Sequence, residues 1–290
     1  MWFWLSLASA FLGAIDIALN KKALKNVSPV VLNWALNCLP IPILLVLVLI
    51  TGIPQLNLTF WIVVSGSSIT WAVGKSMLNT GLKNNLLSEI IPLTSFSVIF
   101  TYIFALIFLH EGIRLVPVSG LLSIIIGSYI LNVDLAKEDI LKPFKLLFTN
   151  KAIVLFLLAL LITSITAIFD KLSVLNTIPT SLIFVLFIEN VLETLILTPY
   201  LMIKEKNTWI LEIKKNYKIL FINSLILLLI GYVVFAAYTI GSVALVLGIK
   251  RLQIFFALIL GYLFLKDKPT KHTWIASLIM ILGTLMIKIG

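Results

Sequence analysis

The feature that most constrains this 290-residue chain is the recurrence of apolar runs about 20 residues long, the length a helix needs to cross a bilayer. Ten such windows are read, at about 2–20, 30–50, 59–79, 86–109, 115–132, 151–170, 180–203, 218–240, 243–265 and 272–289. An isolated span in lipid must satisfy its own backbone hydrogen bonds, so each is expected to be a helix. The expected fold is an all-α membrane protein with ten transmembrane helices, multi-pass in the cell (inner or plasma) membrane, with the bilayer as its first partner. Composition agrees: 61% of residues are hydrophobic and 12% charged, against roughly one half and one quarter in soluble domains.

The net charge of +10 would point to nucleic acid in a soluble protein. Here the lysines cluster in short loops between apolar runs, so they are read as topology, and no nucleic-acid partner is expected. Lys21, Lys22 and Lys25, then Lys83, then Lys137, Lys142, Lys145 and Lys151, then Lys204, Lys206, Lys214, Lys215 and Lys218, then Lys266, Lys268 and Lys271 fall in odd-numbered loops. The even-numbered loops and the C-terminal stretch hold only Arg114, Lys171 and Lys288. By the positive-inside rule the lysine-rich loops are cytoplasmic and both termini lie outside. Two longer connections, about 133–150 and 204–217, are amphipathic and lysine-rich and are expected as helices on the membrane surface. The N-terminal apolar segment has no cationic stretch ahead of it, so it is read as a retained span. The single cysteine, Cys38, excludes an intramolecular disulfide and a cysteine-rich metal site.

An internal repeat is visible. In the first span Gly13, Asp16 and Asn20 share a helical face, and a shift of 150 residues lands on Thr163, Thr166 and Asp170. The same shift carries Lys21 to Lys171 and Pro29 to Pro179, while a shift of 156 pairs Glu111 with Asp267 and Gly127 with Gly283. The domains are thus residues 1–132 and 151–290, each a five-helix repeat, with 133–150 as a surface linker. Five is odd, so the second repeat enters the membrane inverted relative to the first, an architecture of secondary transporters with a site near the midplane.

With these features the chain resembles the drug/metabolite transporter superfamily, specifically its ten-helix EamA-like members. The resemblance is carried by the five-plus-five repeat over the whole chain and by Pro92 about 19 residues before Glu111. It is carried also by the matching segment GIKRLQIFFALILGYLFLKDK in the ninth span and the central glycines Gly127 and Gly283 of each last span. Asp267 stands where a glutamate is usual, and Gly248 opposite Pro92. The resemblance implies export or uptake of small metabolites through a central cavity, without a cofactor.

Candidate site residues are polar or charged groups inside apolar spans, which are costly in lipid unless they face protein or water. Ser9, Gly13, Asp16 and Asn20 form a stripe in the first span, read as close packing or a cavity wall. Ser68, Trp71, Lys75 and Asn79 form another in the third, and Asp16 and Lys75 are expected to face each other at similar depth. Glu189 and Glu193 are one turn apart in the seventh span; both cannot ionise cheaply in low dielectric without a cationic partner, as in a proton-coupling or cation-binding site. In the ninth span Lys250 is placed with Ile254, Ala257 and Gly261, and Arg251 about 100° away with Phe255, Leu258 and Tyr262. One of the two cations is expected to be structural, and Lys250 to meet Glu189. Trp34 and Asn37 in the second span and Tyr232 and Tyr238 in the eighth are further lining candidates. His110 and Glu111 are read as interfacial.

There is no Walker A loop, no GxSxG elbow and no HExxH, so neither an enzyme nor an ATP-driven pump is expected, and no metal or catalytic residue. The function expected is a secondary active transporter working by alternating access on a small polar or zwitterionic metabolite such as an amino acid or amine. A coupling ion such as H+ is a candidate partner, and the oligomeric state is read as monomer or homodimer. The alternatives are a translocase of a lipid-linked substrate, with a lateral apolar opening, and a non-transporting structural subunit, with all buried charges paired.

Overall fold

A computed structural model describes residues 1–84, 92–112, 114–136, 151–205, 208–265 and 271–289. Each of the ten apolar windows contains helix. The first half holds α1 (Trp2–Ala23), α2 (Pro29–Cys38), α3 (Ile41–Thr51), α4 (Leu58–Asn84), a 3₁₀ turn Pro92–Ser95 leading into α5 (Phe96–Phe108), and α6 (Leu115–Ala136). The second holds α7 (Lys151–Leu175), α8 (Leu182–Lys204), α9 (Thr208–Tyr238), α10 (Val243–Lys250), α11 (Gln253–Leu265) and α12 (Lys271–Ile289). Two residue pairs, β1 (Gln55–Leu56) and β2 (Thr177–Ile178), join antiparallel and clip the two halves together at one end.

Local chemistry sets the element ends. Ser28 accepts from the Val31 amide ahead of Pro29 at the start of α2, and Ser181 accepts from the Phe184 amide at the start of α8. The second window is two helices because Pro40 and Pro42 remove amide donors and their rings oppose the carbonyls one turn back. The ninth is also two. Around Arg251 the ladder tightens, with the Arg251 amide reaching Gly248 and the Leu252 amide reaching Ile249. The shared face of Lys250, Ile254, Ala257 and Gly261 assumes one continuous helix, and the turn at Arg251–Leu252 separates Lys250 from the other three.

A surface helix over 204–217 is also not found. From Thr208 one helix runs 31 residues, about 46 Å, because no proline interrupts it and Gly231 is tolerated in its interior, and the lysine-bearing turns are its overhang beyond the bilayer. Residues 137–150, most of the expected linker, lie outside the described residues, as do Lys266, Asp267 and Lys268.

The bundle packs α4 against α7, α1 against α9, and α6 against α12. At the last crossing a Cβ added at Gly120 would sit 2.5 Å from the Gly283 carbonyl, and one at Gly127 would sit 2.8 Å from the Ala276 carbonyl. Bare backbone is what lets these two helices touch. Apolar clusters fill the spaces around Phe60, Val185 and Val234, and around Leu32, Leu201 and Leu220. Exposed apolar residues such as Leu49, Ile62 and Leu195 ring the outside, as a lipid-facing surface requires.

Candidate functional site

The small and polar stripe of α1 is buried along its length: Ser6, Ser9, Gly13, Asp16 and Asn20 all face protein. Gly13 leaves room for Gln253, whose side chain fills the space a Cβ would take. Asn20 donates to Asp16 Oδ2 at 2.8 Å and accepts from Asn223 at 3.0 Å, while Asp16 Oδ1 is buried with no partner. Two cations act on this carboxylate through space, Lys75 from α4 and Lys250 from α10. Neither closes to an ion pair with it among the described residues. The Lys75 ammonium lies 5.4 Å from the centroid of the Trp71 ring, a cation–π contact that explains this pair of site residues. Arg251 donates separately to the Ser97 hydroxyl of α5.

A second charged group is purely acidic. Asp170, at the end of α7, accepts a short hydrogen bond from Ser67 of α4. Glu189 feels the charges of Asp170 and Glu193, and its Oε1 is buried without a hydrogen-bond partner. Among the described residues Glu189 forms no ion pair with Lys250, so the expected meeting of the two is not seen. The carboxylate is drawn to the Ser67–Asp170 side because α8 packs on α2, α3 and α4, whereas α10, broken at Arg251, packs on α1 and α5. Asp170 is the link between the groups, since it acts electrostatically on both Glu189 and Lys250. It was not singled out as a site residue, although its signal was present: it occupies the repeat position of Asn20.

The other expected residues lie away from these two groups or have partners of their own. The Trp34 indole donates to Thr198 at 2.9 Å and stands against Trp209 with centroids 5.0 Å apart. Asn37 is buried with its amide nitrogen unpartnered. Tyr232 is exposed and, among the described residues, makes no hydrogen bond or ring contact, whereas Tyr238 is buried against Phe235.

Glu111 is more than interfacial. Its carboxylate accepts from Lys171 at 2.6 Å, from the Ser242 hydroxyl at 2.8 Å and from the Val243 amide at 3.0 Å, the last at the N-terminus of α10. Lys171 also donates to the Gly241 carbonyl at 2.8 Å. One carboxylate thus ties the loop after α5, the end of α7 and the loop after α9.

A cavity of about 700 Å³ opens between α4, α7 and α8, walled by Val73, Met77, Leu155, Phe156, Ile196 and Tyr200 among others. None of the charged residues above lines it. What the interior offers chemically is two charged groups linked through Asp170: Lys75 and Lys250 around Asp16, and the three carboxylates Asp170, Glu189 and Glu193.

The family model of the EamA-like transporter family matches residues 1–133 and 150–289. No curated protein matches the sequence. A solved structure described as "Crystal structure of protein" superposes with a TM-score of 0.73 at 14% identity, covering 98% of this chain and 96% of its own length. At that identity the likeness is one of fold.

Proposed function

The chain belongs to the EamA-like transporter family, whose members are multi-pass membrane transporters of small molecules, and on that premise we propose a ten-helix, inverted-repeat carrier that works by alternating access on a small zwitterionic metabolite. The inverted repeat is supported by hydrogen bonds that exchange under the sequence offsets. Asn20 pairs with Asn223; adding 150 to the first and subtracting 156 from the second gives Asp170 and Ser67, which pair in turn. Gly120 against Gly283 and Gly127 against Ala276 are related by the same 156-residue shift. Helix neighbours follow the rule too: α4 with α7 becomes α9 with α1.

The observation that carries the substrate reading is this pair of charged groups. Lys250 and Lys75 suit a carboxylate, and Glu189 and Glu193, with Asp170, suit an amine or a proton. A structural subunit would pair its buried charges internally, and the orphaned oxygens of Asp16 and Glu189 favour a carrier instead. Glu111, holding three segments of both halves together at one end, is the kind of polar latch that closing one side of a carrier calls for. A second reading, a translocase of a lipid-linked substrate, is favoured by one observation, the sideways apolar cavity.

The test is thermal unfolding of purified protein across a panel of amino acids, amines and organic anions. A zwitterion at 100 times its dissociation constant stabilises the folded state by about 2.7 kcal/mol. Zwitterions should raise Tm where amines or anions alone do not, and Glu189→Gln should remove the shift. Stabilisation by anions alone, unaffected in that variant, would overturn the zwitterion reading.

A further inference from the structure

The cavity between α4, α7 and α8 is not used by the transport reading, and its rim has a character of its own. We propose that it is a binding site for one anionic phospholipid of the leaflet at the lysine-rich end, with an acyl chain in the cavity and the phosphate against Lys151 and Lys204.

The walls are apolar and their only polar side chains are hydroxyls, such as Ser76 and Thr80. At about 700 Å³ the space is in the range that buries an apolar ligand of drug size, and hydrocarbon is what surrounds it. Each wall also shows an apolar residue to the outside: Val73 is 45% exposed, Leu155 54% and Tyr200 48%. Leu155 and Tyr200 belong to helices long and apolar enough to span the membrane, and Val73 to a 27-residue helix packed along the first of these, so the mouth lies among membrane-crossing segments.

The charge follows from helix geometry. Tyr200 is the kind of amphipathic ring that sits at headgroup level, and Lys204 lies one turn beyond it on the same face. Lys151 lies one turn before Leu155, and because Leu155 and Tyr200 wall the same cavity, the start of α7 and the last turn of α8 lie at the same end of it. Both lysines are exposed and neither has a hydrogen-bond or ion-pair partner among the described residues. Lys83, three residues past Thr80 on α4, adds a third cation, its ammonium already donating to the Val27 carbonyl at 3.2 Å. Glu205 follows Lys204 but sits about 100° around the axis from it. Two free ammonium groups one turn beyond an apolar slot complement a diacyl phosphate ester; a zwitterionic headgroup cancels much of that attraction. The inference does not rest on the zwitterion reading, and its test measures lipid retention without any transport assay.

The experiment is native mass spectrometry of the full chain in detergent, with dioleoyl phosphatidylglycerol and dioleoyl phosphatidylcholine added in competition. One phosphatidylglycerol should be retained over phosphatidylcholine by roughly tenfold or more, and Lys151→Gln and Lys204→Gln should each lower that preference about fivefold, the weight of one juxtamembrane charge. Val73→Trp and Ile196→Trp enter the mouth from half-exposed positions without overfilling the core, and each should lower retention of both lipids. Circular dichroism reports whether each variant is folded. Equal retention of the two lipids would overturn the anionic site, and wild-type retention of phosphatidylglycerol in either folded tryptophan variant would overturn its placement in the cavity.

Discussion

At the scale of the residue, the charges inside the bundle divide by chemistry in a way that single-span reading does not reach. Glu189 and Lys250 sit at matching depths in their spans, yet depth is one coordinate of three, and the helix that brings Glu189 inward faces Ser67 and Asp170. The types of residue that matter were legible, because a carboxylate or ammonium in an apolar run needs a protein partner. The partners were not, because partner choice depends on which helices touch. One consequence can be measured. Asp170→Asn gives the second half the amide that the first half has at Asn20, so the hydrogen bond to Ser67 survives. Chemical denaturation should move by no more than about 1 kcal/mol, the worth of one ordinary hydrogen bond. Transport in proteoliposomes should nevertheless fall at least tenfold, since one of three carboxylates is lost. Glu189→Gln combined with Lys250→Met should not restore transport to either single variant, because the two side chains belong to different groups; full recovery would mean that they pair after all.

At the scale of the element, every described helix overlaps an apolar window, but the windows do not show the breaks within them. Pro40 and Pro42 announce the first break. The second, at Arg251–Leu252, has no such marker; it comes from tightening of the last turn of α10 while Glu111 holds its first amide. That carboxylate also decides a stability prediction. Glu111 and Lys171 are each only 14% exposed, and Glu111→Ala orphans an ammonium as well as the Val243 amide. A loss of about 3 kcal/mol is expected, as for breaking a buried pair, with partial recovery when Lys171→Met is added. Melting of the two variants side by side checks it, and an unchanged Tm for Glu111→Ala would show that the latch contributes nothing to the folded state. The glycine crossing makes a sharper case. Gly120→Val sets branched carbon against the Gly283 carbonyl where even a Cβ is 2.5 Å away, so α6 and α12 must separate. Overpacking of this kind costs about 1–3 kcal/mol, read as a Tm drop far larger than for valine at an exposed α6 site such as Leu122.

At the scale of the whole molecule, the loops sort into two ends, and this is what gives the lysine pattern its meaning. At one end β1 meets β2, Asn57 donates to Asn176, and Glu111 gathers Lys171 and Ser242. The chain termini are at that end too: the Lys288 ammonium lies 5.1 Å from the Trp4 ring centroid, and Trp2 packs at Gly241. At the other end Ser28 donates its amide to Glu212, and Lys83 reaches the Val27 carbonyl. Every loop placed at the first end is even-numbered and nearly free of cations, and every loop at the second is odd-numbered and lysine-rich. Such a division arises only if successive spans alternate in direction, so the loop charges act together as one orienting signal. The prediction is that the lysine-rich end faces the cytoplasm and both termini face outward. In a Cys38→Ala background, a cysteine added after Gly290 should react with membrane-impermeant maleimide on intact cells, and one replacing Lys215 should react only after lysis. The reverse pattern would invert the molecule and place the Glu111 latch on the cytoplasmic side.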